Sequence, residues 1–350
     1  MKKNFLLLAV AILTALAANA ELSQSVVATL THGTTVTTYS GGNALKEAHT
    51  AAVDGDAIVL SPGTFNAVDI TKAITLRGAG AADLSLPGQE ITQAGTTYIT
   101  GNMNVNIASA SNSFIIENCR FSSNVYFKKA PATKIYKSFF NYIEIYSAVA
   151  SIDFTHCRVN NYYLSSSGSS DYICKNVTFL NSNIKFESFN PLIKATNCVL
   201  QTTYYKCWNN LDVYITSSGM GILDNCIFVD GSTYSNAHNL SAYTQARNCV
   251  AVATGSYGFN SGFFTYSANG NNQVLSNWSN LLSTKSWPFT LTETAATTYL
   301  GSDGTQVGIH GGPLPFDPIP DNLLVTTCNI ASKTTVDGKL SVEIKVSTIK

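Results

Sequence analysis

Asn118-Cys119-Arg120-Phe121, Lys137-Ser138-Phe139-Phe140 and His156-Cys157-Arg158-Val159 are successive versions of one four-residue pattern. It continues as Asn176-Val177-Thr178-Phe179, Asn197-Cys198-Val199-Leu200, Asn225-Cys226-Ile227-Phe228 and Asn248-Cys249-Val250-Ala251. The second positions fall at 119, 138, 157, 177, 198, 226 and 249, giving intervals of 19, 19, 20, 21, 28 and 23. A near-constant period that slips by insertion marks a solenoid, in which each repeat is one coil and inserts leave as loops. Each coil carries a second apolar segment: Val125-Tyr126-Phe127, Ile143-Glu144-Ile145, Tyr162-Tyr163-Leu164 and Ile184-Lys185-Phe186. With period two, the outer residues of each triplet face in and the middle one faces out. The Asn positions suit corners, because Asn tolerates a left-handed backbone. Stacked amides are then expected to bond along the column.

Five of the eight cysteines (Cys119, Cys157, Cys198, Cys226 and Cys249) occupy the same inward position. Stacked strands lie about 4.8 Å apart, beyond the ~3.8 Å mean Cβ separation of a disulfide. The expectation is buried free thiols acting as small apolar residues. A bridge between neighbours such as Cys226 and Cys249 is the alternative.

Before the repeats, Val26–Leu30 and Val36–Tyr39 read as a hairpin turning at Thr31-His32-Gly33. Ala44 to Ala52 carries a helical apolar stripe with Asn43 as N-cap. An open solenoid end needs covering, and this helix is the expected lid. After the repeats, Pro313, Pro315, Pro318 and Pro320 read as a linker. Leu323–Ile330 and Leu340–Val346 follow as two strands around Asp337-Gly338. The organisation is thus a leader over 1–20, hairpin and capping helix over 21–56, β-helix over 57–315, and linker with two-strand tail over 316–350.

Residues 1–20 have the layout of a secretory signal: Lys2-Lys3, an apolar run from Phe5 to Leu16, then Ala18-Asn19-Ala20. The chain is expected to be exported, to the periplasm, the outer surface or beyond, with no transmembrane segment in its mature form. It carries 21 basic and 21 acidic residues, and only 12% of residues are charged. That balance argues against nucleic acid as a partner and suits a neutral polar ligand.

The stretches Asp54-Gly55-Asp56-Ala57-Ile58-Val59-Leu60-Ser61-Pro62-Gly63-Thr64-Phe65 and Ile74-Thr75-Leu76-Arg77-Gly78-Ala79-Gly80, behind a capping helix, resemble the opening coils of pectin-lyase-like right-handed parallel β-helices. Asp303-Gly304-Thr305-Gln306-Val307-Gly308-Ile309-His310-Gly311-Gly312 resembles their last coil. The chain is also similar to secreted β-helix proteins of Bacteroides-type gut bacteria. The resemblance implies an all-β, right-handed parallel β-helix. It does not select an activity, because this fold carries lyases, hydrolases, adhesins and binding proteins.

The lyases of the family need clustered calcium-binding acids and a basic residue. Here Glu117 and Asp224 share a repeat position five coils apart, and Asp153, Asp171 and Asp212 are scattered. Arg120 and Arg158 share a column without an acid in register. The hydrolases need paired aspartates, a Gly-His-Gly and an Arg-x-Lys, none of which occurs. His310 and His156 read as corner residues. Calcium is therefore expected only if the lyase alternative holds, and no other cofactor is implied.

The best surface candidate is the outward ladder Tyr126, Glu144, Tyr163, Lys185 and Tyr205. Aromatic faces one coil apart can stack on sugar rings, while Glu144 and Lys185 bond hydroxyls. Tyrosine is also a good strand residue that stacks with itself. The leading expectation is a non-catalytic β-helix that displays this face to a polysaccharide or cell-surface glycan. The alternatives are a divergent polysaccharide lyase or glycoside hydrolase, and a structural rod or adhesin.

Overall fold

The computed structural model describes residues 26–108, 111–163, 177–186, 193–202, 221–230, 240, 242, 244–254, 259, 261–320, 323–330 and 342–348. These residues form a right-handed parallel β-helix built on a repeated corner. Asn118, Lys137, His156, Asn181, Asn197, Asn225, Asn248 and Asn271 all have a left-handed backbone, with φ between 42° and 57°. Each except Asn271 follows a strand, and each turns the chain into the next one. The residue after each corner points inward and stacks on its counterpart. The Phe139, Arg158, Asn183, Val199, Ile227, Val250 and Gln273 amides donate to the carbonyls of Cys119, Ser138, Cys157, Ser182, Cys198, Cys226 and Cys249, at 2.9–3.1 Å.

One repeat differs from its sequence assignment. The fourth corner is Asn181-Ser182, so the inward column runs through Ser182 and not Val177. Val177 begins the strand Val177–Leu180 on another side of the coil, and Asn176 lies outside the described residues. The alternation Val177-Thr178-Phe179 suits either strand, and only the left-handed residue marks the corner.

Inward residues stack coil upon coil. Phe121, Phe140, Val159, Ile184, Leu200, Phe228, Ala251 and Val274 are paired in sequence along one ladder. Phe121 and Phe140 lie ring on ring at 4.6 Å, and Phe154 and Phe179 at 4.8 Å. Cys119, Cys157, Cys198, Cys226 and Cys249 are buried and free. Burial pushes the Cys157 thiol up to about 12, and raises Cys119 and Cys226 as well. Such thiols stay protonated and pack as small apolar groups.

The N-terminal end is closed by the hairpin Val27–His32 and Thr35–Ser40 together with the helix Ala44–Ala51. The first of these strands also pairs antiparallel with Ala57–Leu60, the first strand of the coils. The helix buries Ala44, Leu45 and Ala48 against the core. Asn43 stands at the N-cap, but its side chain makes no capping bond. The hairpin and helix are held by side chains instead. Asp56 accepts from Val53 N and pairs with His32, Asp54 accepts from Ala73 N, and Lys72 donates to the carbonyls of His49 and Thr50.

Asp303–Gly312 does not form a last coil. It belongs to a strap that runs back along the corner column. Ser302 N donates to Asn225 Oδ1, and Gly308 N to the Asn225 carbonyl. Asn181 Nδ2 donates to the carbonyls of Ile309 (3.1 Å) and Gly311 (2.8 Å). His156 Nε2 meets Leu314 O, and Lys137 Nζ donates to Asp317 Oδ2 and Ile319 O. A Cβ on Gly311 would overlap the Gln306 carbonyl within the strap itself, so the strap's own turn admits no larger residue there. Column amides bond to each other at Asn271 and Asn248, whereas Asn225 and Asn181 bond the strap. The strap comes first there because its carbonyls and amides would otherwise be buried unpaired. Beyond it, Leu323–Ile330 and Val342–Thr348 pair antiparallel in a sheet of their own. The expected turn at Asp337-Gly338 lies outside the described residues.

Asn181→Gly should isolate the strap's contribution, because glycine keeps the left-handed corner and removes only the amide. The expected loss is about 1–3 kcal/mol, the cost of leaving buried carbonyls unpaired, read from urea unfolding. An unchanged midpoint would show that the strap is not held here.

Stability should also depend on two histidines kept neutral in the fold. Burial, then the Lys72 ammonium, pushes His49 below its ordinary 6.5. Burial pushes His310 down against the opposing bond to Pro288 O. The unfolded chain therefore takes up protons first as the pH drops below about 6.5. Stability is full above that value and declines below it. Thermal melts from pH 8 to pH 5 should show the decline, and a His49→Gln/His310→Gln variant should flatten it.

Candidate functional site

The outward residues of the second strand segment converge on one carboxylate. Tyr126 pairs opposite Glu144, and Glu144 opposite Tyr163, in successive coils. Tyr142, two residues before Glu144, inserts its ring between those of Tyr126 (6.1 Å) and Tyr163 (6.0 Å, near-parallel at 27°). Its hydroxyl reaches Glu144 Oε2 at 3.4 Å, and Tyr146 bonds the same carboxylate. Asn124 Nδ2 donates to the Tyr126 hydroxyl at 2.8 Å.

Three tyrosine rings thus form a continuous half-buried row, and Glu144 lies beneath the phenols with 7% of its surface exposed. This corrects its expected role. Glu144 is not displayed to bond a ligand; it organises the hydroxyls around it. Coils about 4.8 Å apart leave no room for a carboxylate to stand clear of phenols on both sides. Burial, then the Glu144 charge, raises the Tyr142 phenol above its ordinary range. Burial and the bond to Glu144 do the same for Tyr146.

Lys185 is not part of this row. The strand Arg158–Tyr163 shifts register against Asn183–Phe186 between Val159 and Tyr162, so Tyr162 pairs with Phe186. Lys185, one residue before Phe186, therefore lies opposite Asn160-Asn161 and faces Gln201 in the next coil. The misplaced fourth corner hides this shift in the sequence. Tyr205 lies outside the described residues, as do Leu164, Asp171 and Asp212. Tyr142 was missed, although period-two spacing from Glu144 places it on the same face.

Other candidate residues are engaged elsewhere. Glu117 pairs with Arg77, and Asp224 binds Arg247 through two bonds of 2.7 and 2.9 Å. The Arg120–Arg158 column does receive an acid, but from an insert and not from its own register. Asp83, in the short helix Ala82–Leu84, pairs with Arg120 and offers its carbonyl to Arg158 at 2.9 Å. Phe139 lies between the two guanidinium groups, at 5.2 and 5.7 Å. Among the described residues, no group of three or more His, Cys, Asp or Glu is placed to hold a metal ion.

The site and fold define a parallel β-helix with an aromatic outer row. No protein-family model, curated protein or solved structure matches the chain.

If Glu144 sets the phenols' titration, Glu144→Gln should lower the Tyr142 and Tyr146 ionisations without restoring them fully, because burial remains. Difference absorbance titration against the parent chain in alkaline buffer would read this. A flat difference spectrum would place the carboxylate's influence elsewhere.

Proposed function

We propose that this chain is an exported, non-catalytic β-helix that presents its tyrosine row to a polysaccharide or cell-surface glycan. The observation that carries the reading is the spacing of Tyr126, Tyr142 and Tyr163, whose ring centroids follow one another at about 6 Å. Rings held at that interval on a rigid sheet offer one continuous, half-buried aromatic strip, and the Tyr142 and Tyr126 hydroxyls are oriented by Glu144 and Asn124. Two-torsion aromatic side chains already packed in place lose little freedom on binding. Export is supported by the leader-like composition of residues 1–20. The stacked coils and the capped first coil support keeping the chain among pectin-lyase-like β-helices.

The test is retention on immobilised neutral and acidic polysaccharides, by affinity electrophoresis. Tyr126→Ala and Tyr163→Ala should each weaken retention roughly tenfold, as expected for an aromatic anchor, while the Phe variants retain it. Retention unaltered by both Ala changes would overturn the reading. So would the absorbance of unsaturated products on incubation with uronate polymers.

A further inference from the structure

A second feature lies along the same strands, toward the Arg158 end. The loop 283–289 borders a cleft of about 320 Å³ with the strands that carry Arg158, Lys185 and Gln201. Three of its lining residues are cations (Arg158, Lys185 and Lys285) and none is acidic. Neither lysine has a carboxylate partner among the described residues.

The cleft is built and held open. Trp287 Nε1 donates to Ser85 O at 3.0 Å, Ser283 N to Thr290 O, and Phe289 N to Ser286 O, which pins the loop. The Arg158 guanidinium lies 5.0 Å from the Trp287 ring and 5.7 Å from Phe139, fixed between aromatic faces. Its Nη1 is used on the Asp83 carbonyl, whereas its Nε is buried with no partner. The Asp83 carboxylate is turned to Arg120. A buried guanidinium donor without an acceptor is rare, and it leaves Arg158 one hydrogen bond short within the protein. Burial holds the Arg158 pKa below its usual value, against the opposing charge of Asp83.

The remaining walls are amides. Asn161 Nδ2 is used on Asn141 O and Gln201 Nε2 on Asn183 Oδ1. Their carbonyl oxygens are left to accept from hydroxyls. Cations with aromatic and amide walls match a charged sugar better than a bare ion.

We propose that this cleft binds a tetrahedral oxyanion ester carried on a sugar, a sulfate or phosphate group held by Arg158, Lys185 and Lys285. The three cations come from two strands and a separate loop. A tetrahedral ester presents oxygens in three directions and can meet all of them; a planar carboxylate presents two in one plane. A nucleic-acid backbone fits poorly, because the chain as a whole carries no net positive charge. The proposal does not depend on the tyrosine row and is tested apart from it.

The probes are sodium sulfate, sodium phosphate and sodium acetate at matched ionic strength, titrated by calorimetry. Sulfate and phosphate should bind saturably and acetate should not. Lys285→Gln, on an exposed loop, and Lys185→Gln should each weaken sulfate binding about tenfold, as for the loss of one charge-assisted bond. Unchanged melting temperatures in chloride would show that both variants fold. A second arm compares a sulfated, a phosphorylated and an unmodified oligosaccharide of the same backbone. Tighter binding of either ester supports the site and identifies which ester it takes. Equal binding of acetate and sulfate, or of sulfate to parent and both lysine variants, would overturn it. Tyr126→Ala and Tyr163→Ala should leave inorganic sulfate binding unchanged, so failure of the glycan reading is visible separately.

Discussion

Everything in this molecule hangs on a left-handed backbone residue recurring at the same corner of each coil. A left-handed non-glycine residue costs roughly 1–2 kcal/mol, and Asn reduces that cost by local bonding. Where it recurs in register, the next side chain must point in and the following strand must lie on its predecessor. Two corners use residues less suited to that backbone, Lys137 and His156. Both have long side chains that reach the strap, Lys137 to Asp317 and Ile319 O, His156 to Leu314 O. The strap therefore offsets strain at the corners where asparagine is missing, while at Asn181 it takes the amide's own donors.

The same regularity decides what the outer surface can carry. In-register stacking brings Tyr126, Glu144 and Tyr163 together and buries the carboxylate among phenols. A register shift does the opposite. The one extra residue between Val159 and Tyr162 displaces Lys185 from the tyrosine row and leaves it lining a cleft with Arg158. Bulges commonly re-aim a side chain in this way.

The fold was legible because a corner leaves a local mark in sequence. Asn-Cys and its variants repeat at every coil, and the shared inward position of the cysteines follows from alternation alone. Val177 was misread because an apolar-polar-apolar triplet is identical on any side of a coil. The strap was not legible at all. Its bonds join residues 77 to 182 positions apart, such as Ser302 to Asn225 and Lys137 to Ile319, and nothing periodic announces them. Asp83 escaped for the same reason, since an insert can supply an acid to any column it crosses. At the candidate site, Tyr126 and Tyr163 could be placed from the period, whereas the burial of Glu144 depends on Tyr142 and Tyr146 closing over it.

The two outer features are joined by one strand. Arg158 and Tyr163 are its ends, about 16 Å apart at 3.3 Å per residue. Neither end can shift without the other, because the strand is hydrogen-bonded to coils on both sides. On the two proposed readings, a short ligand would meet either phenols or cations, whereas one longer than that span would meet both in a fixed order. Backbone register thus fixes the distance and the order of phenols and cations along the surface.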